Sequence, residues 1–243
     1  MTIRLIAGIA LSCFLSAAAV EAAGLRLLTE DYPPFNMPAG NGKVSGLSTE
    51  IVQELLKRAG VSYTIELMPW IRAFNSAVLD ANTCVYSTTR TDAREHQLKW
   101  IGPLVENPWV LYARADNSHN VLALEEVRPY RLGGYSGDAV SQYLIDRGFD
   151  VDLASTDQQN VRKLLAGRID FWATGKYLGA YLVAREHASQ LKPVLTFNTT
   201  FMYLACNVGM ADAQVHQLNE QLRGMQKDGA MARIVARYLN MKD

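Results

Sequence analysis

What most constrains this chain is a change of period that repeats along it: short β-branched strands alternate with amphipathic helical stretches, twice over, with one interruption. The first run is "LRLLTEDYPPFNM", a strand ending at Pro33-Pro34, followed by the polar loop "NGKVSG". Ser48 then reads as the N-cap of a helix whose stripe is Ile51, Val52, Leu55, Leu56 and Ala59, with Gly60 as its stop. "VSYTIELMPW" is the next strand, Ile71–Leu79 the next helix, and "TCVYSTT" the third strand. This β-α-β-α-β order is that of a sheet with helical crossovers.

The interruption is "GPLVENPWVLYARAD", where two prolines and a fresh apolar strand mark a crossing between lobes. The βα pattern then resumes. "YRLGGYSG" leads into a helix over Asp138–Arg147, with Val140, Tyr143 and Leu144 inward. "STDQQNVRKLLAGRIDFWATG" gives a capped helix, a stop at Gly167 and a short apolar strand. "TFMYLACNVGM" reads as a strand after a polar "NTT" break, and two helices close the chain on Val215, Leu218, Leu222, Met225 and on Ile234, Val235, Tyr238, Leu239.

Residues 1–22 read as a secretory signal peptide: Arg4, an apolar run, then small residues at Val20 and Ala22. The segment after cleavage, about 221 residues, is expected in the periplasm, since no later run of 18 residues is apolar. Without Arg4 and Glu21 it carries 23 basic and 23 acidic side chains. A balanced charge gives no electrostatic case for nucleic acid or an anionic membrane as partner. The four histidines are scattered without ligand spacing, so neither a metal nor a cofactor is expected.

One stretch asks for chemistry. "STTRTDAR" (87–94) ends a buried strand in hydroxyls and then places two arginines four residues apart. It is either a solvated loop, with Arg94 paired to Asp92 or Glu95, or a socket for an anion. A guanidinium presents a rigid fork that matches a carboxylate in two-point fashion. Arg90 reads as at least equally suited to plain solvation.

Four stretches in order, "YPPF" (32–35), "STTRTDAR" (87–94), "LLAGRIDFW" (164–172) and "LNEQLRGMQKDGAMARIVARYL" (218–239), resemble the family 3 periplasmic solute-binding proteins, the receptors of polar amino-acid ABC importers. The resemblance spans residues 24–241. It implies a two-lobed periplasmic binding protein type II fold, α/β in class, with lobe 1 at 24–106 plus 204–243 and lobe 2 at 108–202. It implies a monomer that closes on a small carboxylate-bearing solute and hands it to an ABC transporter permease or a membrane sensor. By that resemblance Ser87, Thr89 and Arg94 hold the carboxylate, and Cys84 and Cys206 lie on neighbouring strands. Those two cysteines are thus either bridged or two buried thiols.

The family's amine anchor, an aspartate five residues after the Asp of "GRID", falls on Gly175. Where the family commonly opens a helix with Gly-Thr-Thr, this chain has Gly137, Asp138 and Ala139, and Asp138 is equally suited to capping its own helix. Ser48 stands where an acidic residue is usual. Trp70 and Arg72 follow the second strand; Trp70 is a platform or core, Arg72 an anchor or a snorkelling side chain. Tyr32 is a plausible aromatic wall and Phe35 packing, while Glu30 and Lys176 are polar contacts or solvated. A few relatives resembling this chain are cyclohexadienyl dehydratases, so an enzyme is the alternative, with Glu30 and Asp138 as its proton carriers.

Overall fold

The structure is a computed structural model, and it describes residues 24–117 and 119–239. The expected signal peptide lies outside the described residues. Ten strands and seven helices follow in chain order: β1 (Leu25–Thr29), β2 (Met37–Pro38), β3 (Val44–Ser45), α1 (Leu47–Ala59), β4 (Tyr63–Leu67), α2 (Trp70–Leu79), β5 (Thr83–Thr89), β6 (Leu98–Arg114), β7 (Leu132–Tyr135), α3 (Ala139–Ile145), β8 (Val151–Ala154), α4 (Asp157–Leu165), β9 (Phe171–Gly175), α5 (Lys176–Arg185), β10 (Leu191–Asn207), α6 (Asp212–Lys227) and α7 (Ala230–Leu239). Among the described residues no helix is long and apolar enough to cross a membrane.

Eight strands form one sheet in the order β4-β1-β5-β10-β6-β9-β7-β8. The outer strands on either side are parallel, β1 with β4 and β5, and β7 with β8 and β9. The two central strands, 17 residues each, are antiparallel and run from one half into the other. β10 meets β5 through Met202–Cys206, while β6 meets β9 through Trp109–Tyr112. Their mutual register slips at three places, between Pro193 and Leu195, Thr196 and Asn198, and Met202 and Leu204. Such bulges bend and twist a ladder, so the strands that join the halves also turn one against the other.

The helical stripe 51, 52, 55, 56 is fully buried, as its period requires. The start of α1 differs from the expectation. Gly46, not Ser48, stands at its cap. The 33–36 loop folds over the helix end, and Pro34 O and Phe35 O accept from the N–H groups of Leu47 and Ser48, both at 3.0 Å. Backbone carbonyls thus do what a side-chain cap would do. α3 ends at Ile145 rather than Arg147. The "NTT" break is not a break. Asn198–Thr200 pair with Asn107–Trp109 inside β10, and Thr200 Oγ1 donates to Asn107 O at 2.9 Å. These polar residues sit where the central ladder passes between the halves. Helix α5 was not foreseen, because its apolar residues surround the helix instead of forming a stripe. Cys84 and Cys206 are direct register partners, fully buried and joined as a disulfide.

Candidate functional site

The ends of β1, β5 and α2 form one wall of a cleft; the ends of β7 and β9 and the starts of α3 and α4 form the other. Three contacts bridge them. Trp70 Nε1 donates to Gly137 O at 2.8 Å, Arg94 Nη2 donates to the same carbonyl at 3.0 Å, and Tyr135 OH donates to Glu30 Oε2 at 3.0 Å.

On the first wall, Asn36 Nδ2 donates to Glu30 O at 2.5 Å, and Ser87 Oγ donates to Asn36 Oδ1. Ser87 has a left-handed backbone, φ 61°, uncommon outside glycine and a form of strain that clusters at functional sites. Its hydroxyl is spent on fixing the loop that carries Glu30 and Tyr32. Thr89 is buried, and its carbonyl accepts from Arg94 Nη1 at 3.2 Å. The Arg94 guanidinium lies 5.2 Å from the Trp70 ring centre and 5.0 Å from that of Phe74. Burial pushes its pKa down, and the charges of Asp138 and then Glu30 hold it up. Glu95, a possible partner for Arg94, instead pairs with Arg90, which stacks near Trp100 and Tyr203.

On the facing wall, Gly137 has φ 78°, and a Cβ there would lie 2.9 Å from Ile71 Cγ1. Only glycine allows both the left-handed turn and the close approach of α2. Asp138 stands before α3 without a side-chain cap bond. Its carboxyl is raised by burial, against the pull of Arg94 and of the nearby N–H groups of Ala139 and Val140. Tyr32 is buried, with the Asn107 amide beside its hydroxyl. A Cβ on Gly175 would lie 2.6 Å from Tyr32 Oη and 2.7 Å from Asn107 Oδ1. Those two side chains occupy the space a longer residue at 175 would need.

Arg72 and Lys176 are not gathered into this group. Arg72 is exposed on α2 and its charge acts on Glu66; Lys176 is exposed, 5.8 Å from the Tyr177 ring centre. Of the remaining candidates, Thr89, Arg94 and Gly137 line one hollow, Glu30 and Tyr32 line another, and Trp70, Ser87, Asp138 and Gly175 line neither. One, of about 620 Å³, is lined by Thr89, Arg94, Gly137, Gln142, Asn198 and Thr200. The other, of about 450 Å³, is lined by Glu30, Tyr32, Met68, Tyr135, Asp157 and Leu178. Both are of the size that takes small molecules.

Asp157 is the residue the sequence hid. In "STDQQN" it reads as part of a helix start, and Thr156 is indeed the cap, accepting from the Gln159 N–H at 3.4 Å. Asp157 itself is 7% exposed, and its Oδ1 accepts from Trp172 Nε1 at 2.7 Å. Burial first, and the Asp138 charge second, raise its pKa to about 7, while Trp172, Asn160 and Thr174 act in the opposite sense. The available signal was Trp172, since a tryptophan on a wholly buried strand needs an acceptor for its N–H. Glu30 is likewise raised well above the carboxylate range, by burial and then by Asp138. Asp138 and Glu30 thus act on the Arg94 guanidinium, while the charge that acts on Asp157 is that of Asp138.

The model of the bacterial extracellular solute-binding proteins, family 3, matches residues 25–241. The L-cystine-binding protein TcyJ of Escherichia coli (strain K12) is 22% identical over 241 residues, 95% of this chain and 90% of that one. Among solved structures, a histidine kinase sensor domain with similarity to periplasmic binding proteins superposes with a TM-score of 0.82 at 23% identity, covering 89% of this chain and 96% of that one. An ancestral arginine-binding protein bound to glutamine gives 0.77 at 22%, covering 88% and 97%. The fold is therefore the two-lobed α/β fold of the periplasmic binding proteins, and the chain belongs to the bacterial extracellular solute-binding proteins, family 3.

Proposed function

We propose that this protein captures a small amino acid or related carboxylate-bearing solute by closing its two lobes, 24–106 with 204–243 against 108–202. It then delivers the solute, as a periplasmic monomer, to an ABC importer or a membrane sensor. The observation that carries this reading is Arg94. Among the described residues it is the guanidinium hydrogen-bonded across the seam, and it spends its donors there on two carbonyls, Thr89 O and Gly137 O. A carboxylate is a stronger acceptor for a guanidinium than a carbonyl and binds its fork at two points, so a ligand carboxylate exchanges favourably for these contacts. Because the bridging bonds form only when the walls meet, a solute touching both walls shifts the population toward closure.

A thermal-shift screen of the protein against amino acids, dicarboxylates and other small organic acids tests this. At 100 times its dissociation constant a ligand adds about 2.7 kcal/mol of stability. The wild type should respond and Arg94→Ala should not. Equal responses from both would refute the carboxylate socket.

A second reading is favoured by Asp157. A buried carboxyl with a pKa of about 7, beside a cavity, is poised for proton transfer at neutral pH. On this alternative the chain is a dehydratase resembling cyclohexadienyl dehydratase. Incubating the purified protein with arogenate or prephenate decides it, since aromatic product must form and must vanish in Asp157→Asn.

A further inference from the structure

The 450 Å³ cavity differs in chemistry from the hollow beside Arg94. Its ionisable wall is acidic on both sides of the seam: Glu30 comes from the end of β1, Asp157 from the start of α4, and Asp31 sits at the rim with Arg185. Each of the two inner carboxyls has a neutral donor of its own, Tyr135 OH for Glu30 and Trp172 Nε1 for Asp157, and these hold the groups in place without neutralising them. Arg94 feels Asp138 first and Glu30 second, whereas among the described residues the charge that acts on Asp157 is another carboxylate, Asp138. The three carboxyls do not form a metal site, since among the described residues no group of three or more such side chains has the grouping a metal ion needs.

Further buried polar side chains stand behind the lining residues Tyr32 and Asp157. Asn107 is 2% exposed, its amide adjoins the Tyr32 hydroxyl on the cavity wall, and its Oδ1 has no hydrogen-bond partner. Thr174 and Asn160, both fully buried, are turned toward Asp157 and lower its pKa as donors, without reaching full hydrogen-bond geometry. Buried polar atoms of this kind are uncommon and call for an explanation. The Tyr32 and Tyr135 rings complete a lining suited to a cation, which is attracted to an aromatic face.

We infer that this cavity receives the protonated amine of the ligand, held between the Glu30 and Asp157 carboxylates, so that Asp157 on α4 supplies the negative charge that Gly175, hemmed in by Tyr32 and Asn107, does not. The assignment rests on the proposed function, because it concerns the other end of the same closed cleft. It narrows the ligand class to ammonium-bearing solutes and excludes simple organic acids. It also makes capture proton-linked: an ammonium favours ionised carboxyls, and burial raises both Glu30 and Asp157, so binding weakens as pH falls and protonates them.

The test uses isothermal titration of the whole protein at pH 7.5 with L-arginine, L-lysine, L-glutamine and L-cystine. Each is paired with the acid that lacks its α-amine, such as 3,3′-dithiodipropionate for cystine. Losing a charge-assisted bond to the ammonium should weaken binding about 30-fold. Asp157→Asn and Glu30→Gln should reduce that preference to roughly threefold or less, by the same loss of charge assistance. Asp31→Asn, at the rim, should keep the preference. The paired acids are compared on the wild type, so a variant that folds poorly does not obstruct the result. If deaminated acids bind as well as their amino acids, or if both variants keep the preference, the amine site is wrong while the solute-binding reading stands. If no member of either set binds the wild type, both readings fall together.

Discussion

Closure of the cleft should depend on pH, and the size of the effect follows from Asp157. In the closed arrangement burial and Asp138 lift its carboxyl from the ordinary 3.8 to about 7. At about 1.4 kcal/mol per pH unit, the closed state is disfavoured by ~4 kcal/mol once the group ionises. The sign is that of a raised acid. Below about pH 4 the group is protonated whether the cleft is open or closed, and it contributes nothing. The penalty grows from there to about pH 7 and is constant above. Trp172, Asn160 and Thr174 stay packed on Asp157 when the cleft opens, so opening relieves at most this penalty and the whole of it is an upper bound. Between pH 5 and 8.5 it changes by at most ~2.7 kcal/mol, a ceiling of roughly a hundredfold in the closed-to-open ratio. Small-angle scattering without ligand should show the radius of gyration rising over that range. Asp157→Asn keeps an acceptor for Trp172 Nε1 and removes the charge, so its radius should rise far less. The same expansion in the variant, or a wild type that compacts as pH rises, would refute the reasoning.

Three further outcomes are expected. Trp70→Phe deletes the 2.8 Å bond to Gly137 O and should cost about 1 kcal/mol of closure, read as ligand affinity about fivefold weaker, with the denaturation midpoint little changed. Gly175→Ala puts a Cβ 2.6 Å from Tyr32 Oη, and overpacking of that kind costs roughly 1–3 kcal/mol; Tyr32→Phe in the same chain should recover part of it, whereas additive losses in the double-mutant cycle would show that the two positions do not touch. Replacing Cys84 and Cys206 by alanine opens a bridge between residues 122 apart, for which chain entropy gives roughly 5 kcal/mol; urea unfolding under oxidising conditions measures it, and an unchanged midpoint would argue that the bridge does not form in solution.

Much of the fold was legible because period and punctuation agree. The stripe of α1 and its Gly60 stop, the β5 strand and the two closing helices all carry local signals that the packing keeps. Where local signals conflicted with the tertiary context, the context prevailed. Ser48 has the chemistry of a cap, but the 33–36 loop delivers carbonyls to the same N–H groups first. Asn198–Thr200 look like a turn, yet they pair because the opposite strand continues through them. At the site, the position of Arg94 beside the cleft was legible only through the ordered motifs around it, since "STTRTDAR" alone reads equally well as a solvated loop with an ion pair. Arg72 and Lys176 had the right chemistry at nearby positions, but the helix phase turns both outward. Asp157 was hidden by its neighbour Thr156. A cap motif explains an acidic residue in a first turn so well that nothing local distinguishes a solvated aspartate from one buried against Trp172.

One departure from the pattern that the resemblance implies has a physical reason in the structure. Tyr32 and Asn107 fill the space beside Gly175, so a longer side chain at the end of β9 would force one of them to move. Negative charge appears instead at the starts of α3 and α4, as Asp138 before α3 and Asp157 at the head of α4. Asp138 lies in the field of Arg94, so part of the positive potential meant for a ligand carboxylate is already balanced from within. Asp157 has no such partner among the described residues and borders the cavity. On the inferred amine site, such a cleft would be more selective for the cationic end of a ligand than for the anionic end. Its affinity for a zwitterion should therefore respond more steeply to loss of the amine than to loss of the carboxylate, since a solute without the carboxylate still leaves Arg94 bonded to Thr89 O and Gly137 O, while a solute without the amine leaves buried charge unbalanced.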